Sequence, residues 1–377
     1  MRRRTALVCL GSAVLEAAPA LAAARAPRKQ GPCPKCGGTG RIPCPAHDRR
    51  SRRYKPFCSA CPEPPCCKGV GWTPCPACAD EATREKFARV AALYAKERAG
   101  AGFYPWGKQF FCAACEHFRF KAAATHEECH RYHAVAEKAL SLFTRVFGEK
   151  RVDELCWDEK AHFLIVGSRD QYHDFLDWYY ETRHPGANAN KKDFLRGGRG
   201  VRMITDRLQV LIRAQTEGAK ADESMLLHRI AHGAGHLAIE NTNVHGKTPA
   251  WLGEGWACRS EIEALRKPRV YCIEYVGGGN QPRPPHEWRQ TVRDALRRKK
   301  LPSFERLFEL AIGDMGVVEW SMSISVVSWL VEKFPNKTVR LVDAIKEGRA
   351  SKAAFEAVFE VELAVVEKAW QRWARTH

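Results

Sequence analysis

Apolar residues recur at helical spacing in the segment from Asp80 to Ala101. They alternate with Glu, Lys, Arg and Ala and stand at Phe87, Val90, Leu93 and Tyr94. This pattern predicts an amphipathic helix, and Gly100 and Gly102 predict where it ends. We interpret residues 81–111 as a helical connector between two domains.

A second helical pattern, rich in Ala, Leu and Phe, runs to about Phe147. Several cysteines and histidines lie near its beginning. They are Cys112, Cys115, His126, Cys129, His130 and His133. Three interpretations stay open for this group: a third zinc site, a disulfide between Cys112 and Cys115, or ordinary buried side chains.

The N-terminal residues combine positive charge with a short apolar run. Arg2, Arg3 and Arg4 precede an apolar stretch from Ala6 to Leu15, and small residues follow. This order is typical of a cleavable secretory signal, whereas a membrane-spanning helix needs about 20 apolar residues. We therefore expect residues 1–24 to be a signal peptide and the protein to be exported, to the periplasm, the cell surface or the medium. We expect no transmembrane segment after cleavage.

The composition is that of a folded, basic protein. Of the 377 residues, 45% are apolar and 28% charged, which excludes a disordered acidic chain, a collagenous rod or a polytopic membrane protein. The formal net charge is +18 at pH 7. A surface this basic favours anionic partners such as wall polymers, lipid headgroups or nucleic acid.

More than half of the 16 cysteines lie between Cys33 and Cys78, in an internal repeat of C-x-x-C pairs and glycines. The offsets agree between the two copies: Cys36–Cys44 and Cys67–Cys75 are both eight residues apart, and Cys44–His47 and Cys75–Cys78 are both three apart. A further C-x-x-C pair, Cys58 and Cys61, lies between the copies, and Cys33 and Cys36 begin the first. Two thiolates three residues apart can both reach one tetrahedral zinc ion, and two such pairs close a structural site. Disulfides are the open alternative, because an exported protein meets an oxidising compartment.

The segment from Cys33 to Gly40 resembles the cysteine-rich zinc domain of DnaJ-type chaperones, whose repeat is C-x-x-C-x-G-x-G. The resemblance implies a small zinc-ribbon-like domain over residues 30–80 that holds two Zn²⁺ ions. The implied ligands are Cys33, Cys36, Cys75 and Cys78 for one ion, and Cys44, His47, Cys58 and Cys61 for the other. Here His47 replaces a cysteine of the family pattern, and Pro64 stands where the second repeat should begin with one.

A third helical segment, Leu226–His232, carries two histidines. His228 and His232 are four residues apart, so both imidazoles lie on one face of a helix, as in H-E-x-x-H zinc peptidases. The segment Pro249–Ala257 adds a carboxylate, Glu254, at the start of an apparent helix. These residues predict either a metal site or histidines that pack and hydrogen-bond in a core.

Together the two segments resemble the peptidase MA-like domain of the gluzincin zinc peptidases, whose pattern is H-E-x-x-H followed by P-x-W-L-x-E-G-x-A. His228, His232 and Glu254 fall on that family's three zinc-ligand positions. The resemblance implies an α+β fold over residues 112–377, mostly helical with a small sheet.

Flanking segments extend the resemblance. Ala161–Val166 is similar to a strand of the family, with a helix beginning just after Ser168. Trp320–Lys333 is similar to its apolar helix, and Ala354–Trp373 to its terminal helices.

Two positions depart from the family pattern. Arg229 replaces the glutamate that serves these peptidases as general base, and a guanidinium cannot abstract a proton near neutral pH. Trp320 stands near the family's oxyanion-stabilising tyrosine and lacks a hydroxyl. General-base catalysis contributes about 10²- to 10⁴-fold, so these departures imply that peptidase activity is lost.

We therefore expect an exported zinc-binding pseudopeptidase that binds or scaffolds a protein or peptide partner. Two alternatives stay open. The protein could be an active zinc metallopeptidase or hydrolase with another base, such as Glu240 or Glu261, or a zinc-stabilised binding module for anionic polymers. Whether it is an enzyme is thus undecided by the sequence.

A second register of histidines is also present. His232 and His236 have the same four-residue spacing, and Gly233 then occupies the position of the base. His228, His232 and His236 share one helix face, which leaves open a three-histidine site or one completed by Glu254. Each glycine in this helix costs about 1 kcal/mol relative to alanine, so tertiary packing or a metal must hold it.

Overall fold

The structure is a computed structural model. It describes residues 33–43, 57–58, 67–68, 70, 72–99, 111–114, 117–122, 124–149, 151–152, 161–183, 196, 200–204, 208–213, 223–241, 248–270, 272 and 287–377. The expected signal peptide at 1–24 lies outside these ranges, as do Cys44, His47, Cys61 and Cys115. For Cys58 and Cys112 the backbone is described but not the side chain.

Most of the described chain is helical. The helices are α1 (Glu81–Ala99), α2 (His126–Phe147), α3 (Arg169–Arg183), α4 (Glu223–Asn241), α5 (Ala250–Leu265), α6 (Trp288–Arg297), α7 (Phe304–Glu309), α8 (Val317–Lys333), α9 (Pro335–Lys346), α10 (Ser351–Phe359) and α11 (Leu363–Ala374). The helices expected from periodicity near Asp80–Ala101 and up to Phe147 are confirmed. Among the described helices, none combines the length and the apolar character needed to cross a bilayer.

The strands form two sheets. They are β1 (Arg41–Pro43), β2 (Phe57–Cys58), β3 (Trp72–Pro74), β4 (Phe111–Ala114), β5 (Phe118–Ala122), β6 (Ala161–Val166), β7 (Gly200–Ile204) and β8 (Leu208–Arg213). β1 and β3 form an antiparallel pair, and the larger sheet has the order β2-β4-β5-β6-β8-β7. β6 is parallel to both of its neighbours, which suits its nearly continuous apolar sequence. The expected α+β fold with a small sheet is confirmed.

Strand β2 lies at an unexpected place. The sequence analysis assigns Phe57–Cys58 to the cysteine-rich segment at 30–80, but this strand pairs with β4 at the edge of the larger sheet. The reason is that strand pairing depends on backbone hydrogen bonds between segments far apart in sequence, which cysteine spacing does not report. The two parts of the chain are therefore joined through this edge.

Helix α4, with its histidines, is surrounded by other helices. It packs against α5, α5 packs against α8, and α2 covers both α4 and α5. All residues from 228 to 239 are buried, so the helix has no solvent-facing side over that stretch. Buried tryptophans fill the space around it, among them Trp251, Trp256 and Trp320.

Two glycines allow these helices to cross closely. A Cβ atom at Gly235 would lie 2.7 Å from Cα of Ala257, and one at Gly255 would lie 2.5 Å from the carbonyl oxygen of Ser323. Neither distance leaves room for a side chain, so α5 is held tightly between α4 and α8. This crossing sets where Glu254 meets α4.

We expect Gly255→Ala to destabilise the protein by about 1–3 kcal/mol, because the new methyl group must push α5 away from α8. Gly253→Ala is the matched control. It makes the same helix-favouring change in the same helix, and its Cβ would lie 3.3 Å from Oε1 at the end of the Glu240 side chain and at ordinary contact distance, 3.7 and 3.8 Å, from Thr248 and His236. Urea unfolding of both variants checks the expectation, and equal stability of the two would contradict it.

Candidate metal centres

The first candidate centre consists of four cysteine thiols. The sulfur atoms of Cys33, Cys36, Cys75 and Cys78 all lie within 4.8 Å of one another. Those of Cys36 and Cys78 are 3.1 Å apart, and those of Cys33 and Cys75 are 3.9 Å apart. All four are free thiols. Four sulfurs converging on one point fit a single tetrahedral metal ion.

The backbone around these thiols explains their convergence. The N–H groups of Cys36 and Gly37 both donate to the carbonyl oxygen of Cys33, and Gly37 has a φ of 62°, which glycine adopts without strain. Across the β1–β3 pair, the N–H of Cys75 donates to the carbonyl oxygen of Gly40. The short sheet thus brings together two C-x-x-C turns that are 42 residues apart.

A hydrogen bond between two of the four thiols favours the thiolate form of one of them. The hydrogen bond with Cys78 lowers the pKa of the Cys36 thiol to about 6, and the same hydrogen bond raises the pKa of the Cys78 thiol. The two sulfurs therefore hold one proton between them near neutral pH. The thiolate is the form that binds metal.

The second candidate centre lies where α4 crosses α5. The Nε2 atoms of His232 and His236 are 3.1 Å apart, and Oε1 of Glu254 is 3.1 Å from Nε2 of His236. The sulfur of Cys272 is 3.1 Å from Nε2 of His232 and 3.6 Å from Nε2 of His236. Oε2 of Glu254 is 3.7 Å from Nε2 of His232. We call these four residues the helix site.

These separations have the size that a metal ion imposes. A tetrahedral ion with bonds of about 2.0–2.3 Å keeps its ligand atoms about 3.3–3.8 Å apart. The measured separations, from 3.1 to 3.7 Å, agree with this range to within a few tenths of an ångström. The spacing of the helix-site ligand atoms therefore fits a single metal ion.

Carboxylates orient both histidine rings. Nδ1 of His236 is 2.8 Å from Oε1 of Glu240, and Nδ1 of His232 is 3.4 Å from Oε2 of Glu261. An ionised carboxylate only accepts hydrogen bonds, so the contact with an ionised Glu240 assigns the hydrogen of a neutral His236 ring to Nδ1. Nε2 of His236 then presents its lone pair to the helix site, as in metal-binding histidines supported by a carboxylate. Burial raises the pKa of Glu261 well above its ordinary value.

The helix site favours positive charge. The Nε2 atoms of His232 and His236 are 3.1 Å apart, so one cation between them can take a lone pair from each. Oε2 of Glu254 is buried and accepts no hydrogen bond among the described residues. Burial raises the pKa of Glu254, but positive charge at His236 and His232 and hydrogen bonds from His236 and Cys272 lower it to about 2. A metal ion held by the two imidazoles would supply the positive charge that this buried carboxylate requires.

His228 lies outside the helix site. Its Nδ1 is 2.6 Å from Oε1 of Glu261, the carboxylate that also contacts His232. Of the three expected ligands, the structure brings together His232 and Glu254. The second histidine of the site is His236, and His228 is not part of it. The reason is helix geometry: one turn further along α4, His236 lies beside the Gly235 crossing, where Glu254 approaches.

The residues expected at the base and oxyanion positions also lie outside the helix site. Arg229 is buried in α4 next to the supporting His228, and the residue that follows the first histidine of the helix site is Gly233. Trp320 is buried in α8 close to Cys258, on the Nδ1 side of His232. None of these three residues supplies a carboxylate or hydroxyl to the helix site.

A further group of possible donors, His232, Cys258 and Glu261, lies on the Nδ1 side of His232. Its members are already engaged. Glu261 accepts hydrogen bonds from the backbone N–H groups of Arg269 and Val270 as well as from His228. Burial raises the pKa of the Cys258 thiol well above its ordinary value, which keeps it protonated. This group supports the helix site and does not form a second one.

The expected anionic-polymer partner has basic side chains available at both ends of α6. Exposed positive charges there are Arg289, Arg297, Arg298, Lys299 and Lys300. Asp294 lies among them and binds Arg297, which lowers the pKa of the Asp294 carboxyl. Partner binding at this surface stays a prediction.

Sequence reasoning did not find Cys272. It is a single cysteine 14 residues after Cys258, with no partner at metal-ligand spacing. The pairing of His232 with His236 was visible as a second register, but the glutamate pattern of the family favoured the other one. No model of a known protein family matches the sequence and no curated protein matches it, so the functional argument depends on the two metal centres themselves.

Proposed function

We propose that this protein is a zinc-binding pseudopeptidase, with a structural zinc ion at the four cysteines and a second zinc ion at the helix site, and that it binds or scaffolds a protein or peptide partner without cleaving it. The observation that carries the proposal is the convergence of His232, His236, Glu254 and Cys272 on one buried point. Mixed nitrogen, oxygen and sulfur ligands in tetrahedral arrangement suit Zn²⁺ better than Mg²⁺ or Ca²⁺, which take oxygen ligands.

The surroundings of the helix site support binding without hydrolysis. Hydrolysis needs a carboxylate free to take a proton, and neither histidine register provides one, because Arg229 and Gly233 follow the first histidines. Glu240 and Glu261, the alternative bases, are both hydrogen-bonded to histidine Nδ1 atoms. These contacts lie on the Nδ1 sides of the imidazoles, so within the described part of the chain the active-hydrolase alternative has no carboxylate placed to act as base.

The gluzincin resemblance is part of this proposal. The pairing of a histidine helix with a second helix that begins P-x-W-L-x-E-G is the feature that supports it. We also propose the DnaJ-type resemblance, which is supported by the two C-x-x-C turns at the short β1–β3 sheet. The second cysteine-histidine zinc site and export from the cell stay predictions.

A peptidase assay tests the proposal. We expect zinc-loaded protein to show no metal-dependent cleavage of unstructured peptides, because loss of general-base catalysis alone lowers the rate by about 10²- to 10⁴-fold. Glu254→Gln is the matched control, since it keeps the shape of the side chain and removes its charge. Cleavage by the unmodified protein that disappears in Glu254→Gln would contradict the proposal.

A further inference from the structure

We propose that Cys272 is a removable fourth ligand of the helix site, and that modification of its thiol opens one coordination position to a small external anion. This inference rests on the proposed metal site. It adds a modification site and a ligand-binding position to that site.

The position of Cys272 is built into the fold. The chain leaves α5 at Leu265 and returns beside it, where the N–H groups of Arg269 and Val270 donate to Glu261. The Cys258 thiol lies 3.8 Å from the carbonyl oxygen of Val270. These contacts fix the backbone two residues before Cys272. The Cys272 sulfur lies 3.1 and 3.6 Å from the Nε2 atoms of His232 and His236.

The carboxylate of Glu261 contacts both the backbone before Cys272 and the ring of His232. Glu261 binds the segment that leads to Cys272 and also contacts Nδ1 of His232, which lies 3.1 Å from the Cys272 sulfur through its Nε2 atom. The sulfur and the imidazole are thus positioned by the same buried group. This is the arrangement expected for two ligands of one ion.

Cys272 differs from the other three ligands in exposure. His232, His236 and Glu254 lie on α4 and α5 and are 2%, 6% and 2% exposed, whereas Cys272 lies beyond the end of α5 and is partly exposed. The neighbouring Cys258 is 0% exposed. A small reagent in solution can therefore reach the Cys272 sulfur without unpacking α4 or α5.

The modification that fits is thiol–disulfide exchange with a small disulfide. The Cys272 thiolate attacks one sulfur of the disulfide, the sulfur–sulfur bond of the reagent breaks, and the other half leaves as a thiolate. The new bond joins Cys272 to the first half, and no proton is gained or lost. The bound sulfur is now uncharged and a poor ligand. Two histidines and one carboxylate remain, a ligand set that leaves the fourth position open.

Azide binding to the cobalt-loaded protein tests this inference. The visible spectrum of Co²⁺ changes when an external ligand enters its coordination sphere. We expect azide to leave the spectrum of the unmodified protein unchanged. After treatment with oxidised glutathione, with modification of Cys272 located by peptide mass, azide should change the spectrum, and dithiothreitol should reverse the effect.

Two variants separate Cys272 from the other thiols. Cys272→Ala should respond to azide without any oxidised glutathione, and Cys129→Ala, a change of a buried free cysteine of α2 outside the helix site, should behave as the unmodified protein. A Cys272→Ala protein that keeps its helix-site metal but ignores azide would overturn the inference, as would loss of that metal on removal of the thiol. Absence of a helix-site metal in the unmodified protein would instead overturn the proposed function.

Discussion

His236→Ala is expected to empty the helix site of metal, whereas His228→Ala is expected to leave the metal bound. His236 contributes an Nε2 atom within 3.1 Å of both Glu254 and His232, so its loss removes a ligand and leaves Glu254 buried without a cation. His228 is not one of the four residues of the helix site and contacts Glu261, and substitution of such supporting groups lowers metal affinity by about 10- to 100-fold without abolishing it.

Metal content by elemental analysis after dialysis measures this difference. His236→Ala should hold one zinc ion fewer per chain than the unmodified protein, and His228→Ala should hold the same number when zinc is in excess. The reverse result, metal lost in His228→Ala and kept in His236→Ala, would show that the first histidine register forms the site. Circular dichroism of both variants controls for loss of α4.

The second large effect is expected at the cysteine centre. Cys75→Ser should remove its metal and unfold the β1–β3 unit, because structural zinc in small domains contributes about 10–16 kcal/mol of apparent binding free energy. Among the described residues the other contacts of this unit are few: Trp72 packs between Arg41 and Phe87 of α1, and Val70 and Ala91 complete a small apolar cluster. We therefore expect metal binding to be its main source of stability.

Hydrogen exchange at the N–H of Cys75, which donates to Gly40, reports on this unit directly. We expect rapid exchange in Cys75→Ser and slow exchange in Cys67→Ser, the matched control. Cys67 is a buried cysteine of the same segment that lies outside the four-thiol group. Protection retained at this position in Cys75→Ser would contradict a stabilising metal.

Local sequence pattern predicted much of the fold. Apolar periodicity gave α1 and α2, and the start of α2 is reinforced by a capping box between Thr125 and Glu128. The strand Ala161–Val166, its following helix and the helices near the C-terminus were expected from a family pattern and are present. The edge position of β2 was not predicted, because it depends on pairing with a distant strand.

The cysteine centre was predictable because its ligands come in local pairs. Each C-x-x-C turn supplies two sulfurs at fixed spacing, and only the β1–β3 pairing is needed to join them. The helix site combines residues from two helices and a returning segment. The sequence contains two equivalent histidine pairs, and the choice between them depends on where α5 crosses α4 at Gly235. Tertiary packing decides this, and no local pattern records it.

Cys272 shows the same limit more strongly. Its role depends on hydrogen bonds from Arg269 and Val270 to Glu261, a contact made only after α5 has packed. Glu254, by contrast, was found because it lies in a recognisable segment. Ligands that reach a site through a turn of the chain thus have to be read from the structure.

Anomalous diffraction from crystals of the zinc-loaded protein, collected on both sides of the zinc absorption edge, tests the central claim most directly. We predict a zinc peak about 2.0–2.3 Å from Nε2 of His232, Nε2 of His236, a Glu254 oxygen and the Cys272 sulfur. The absence of a peak between these four atoms in zinc-loaded crystals, or a peak bound to His228 in place of His236, would contradict it.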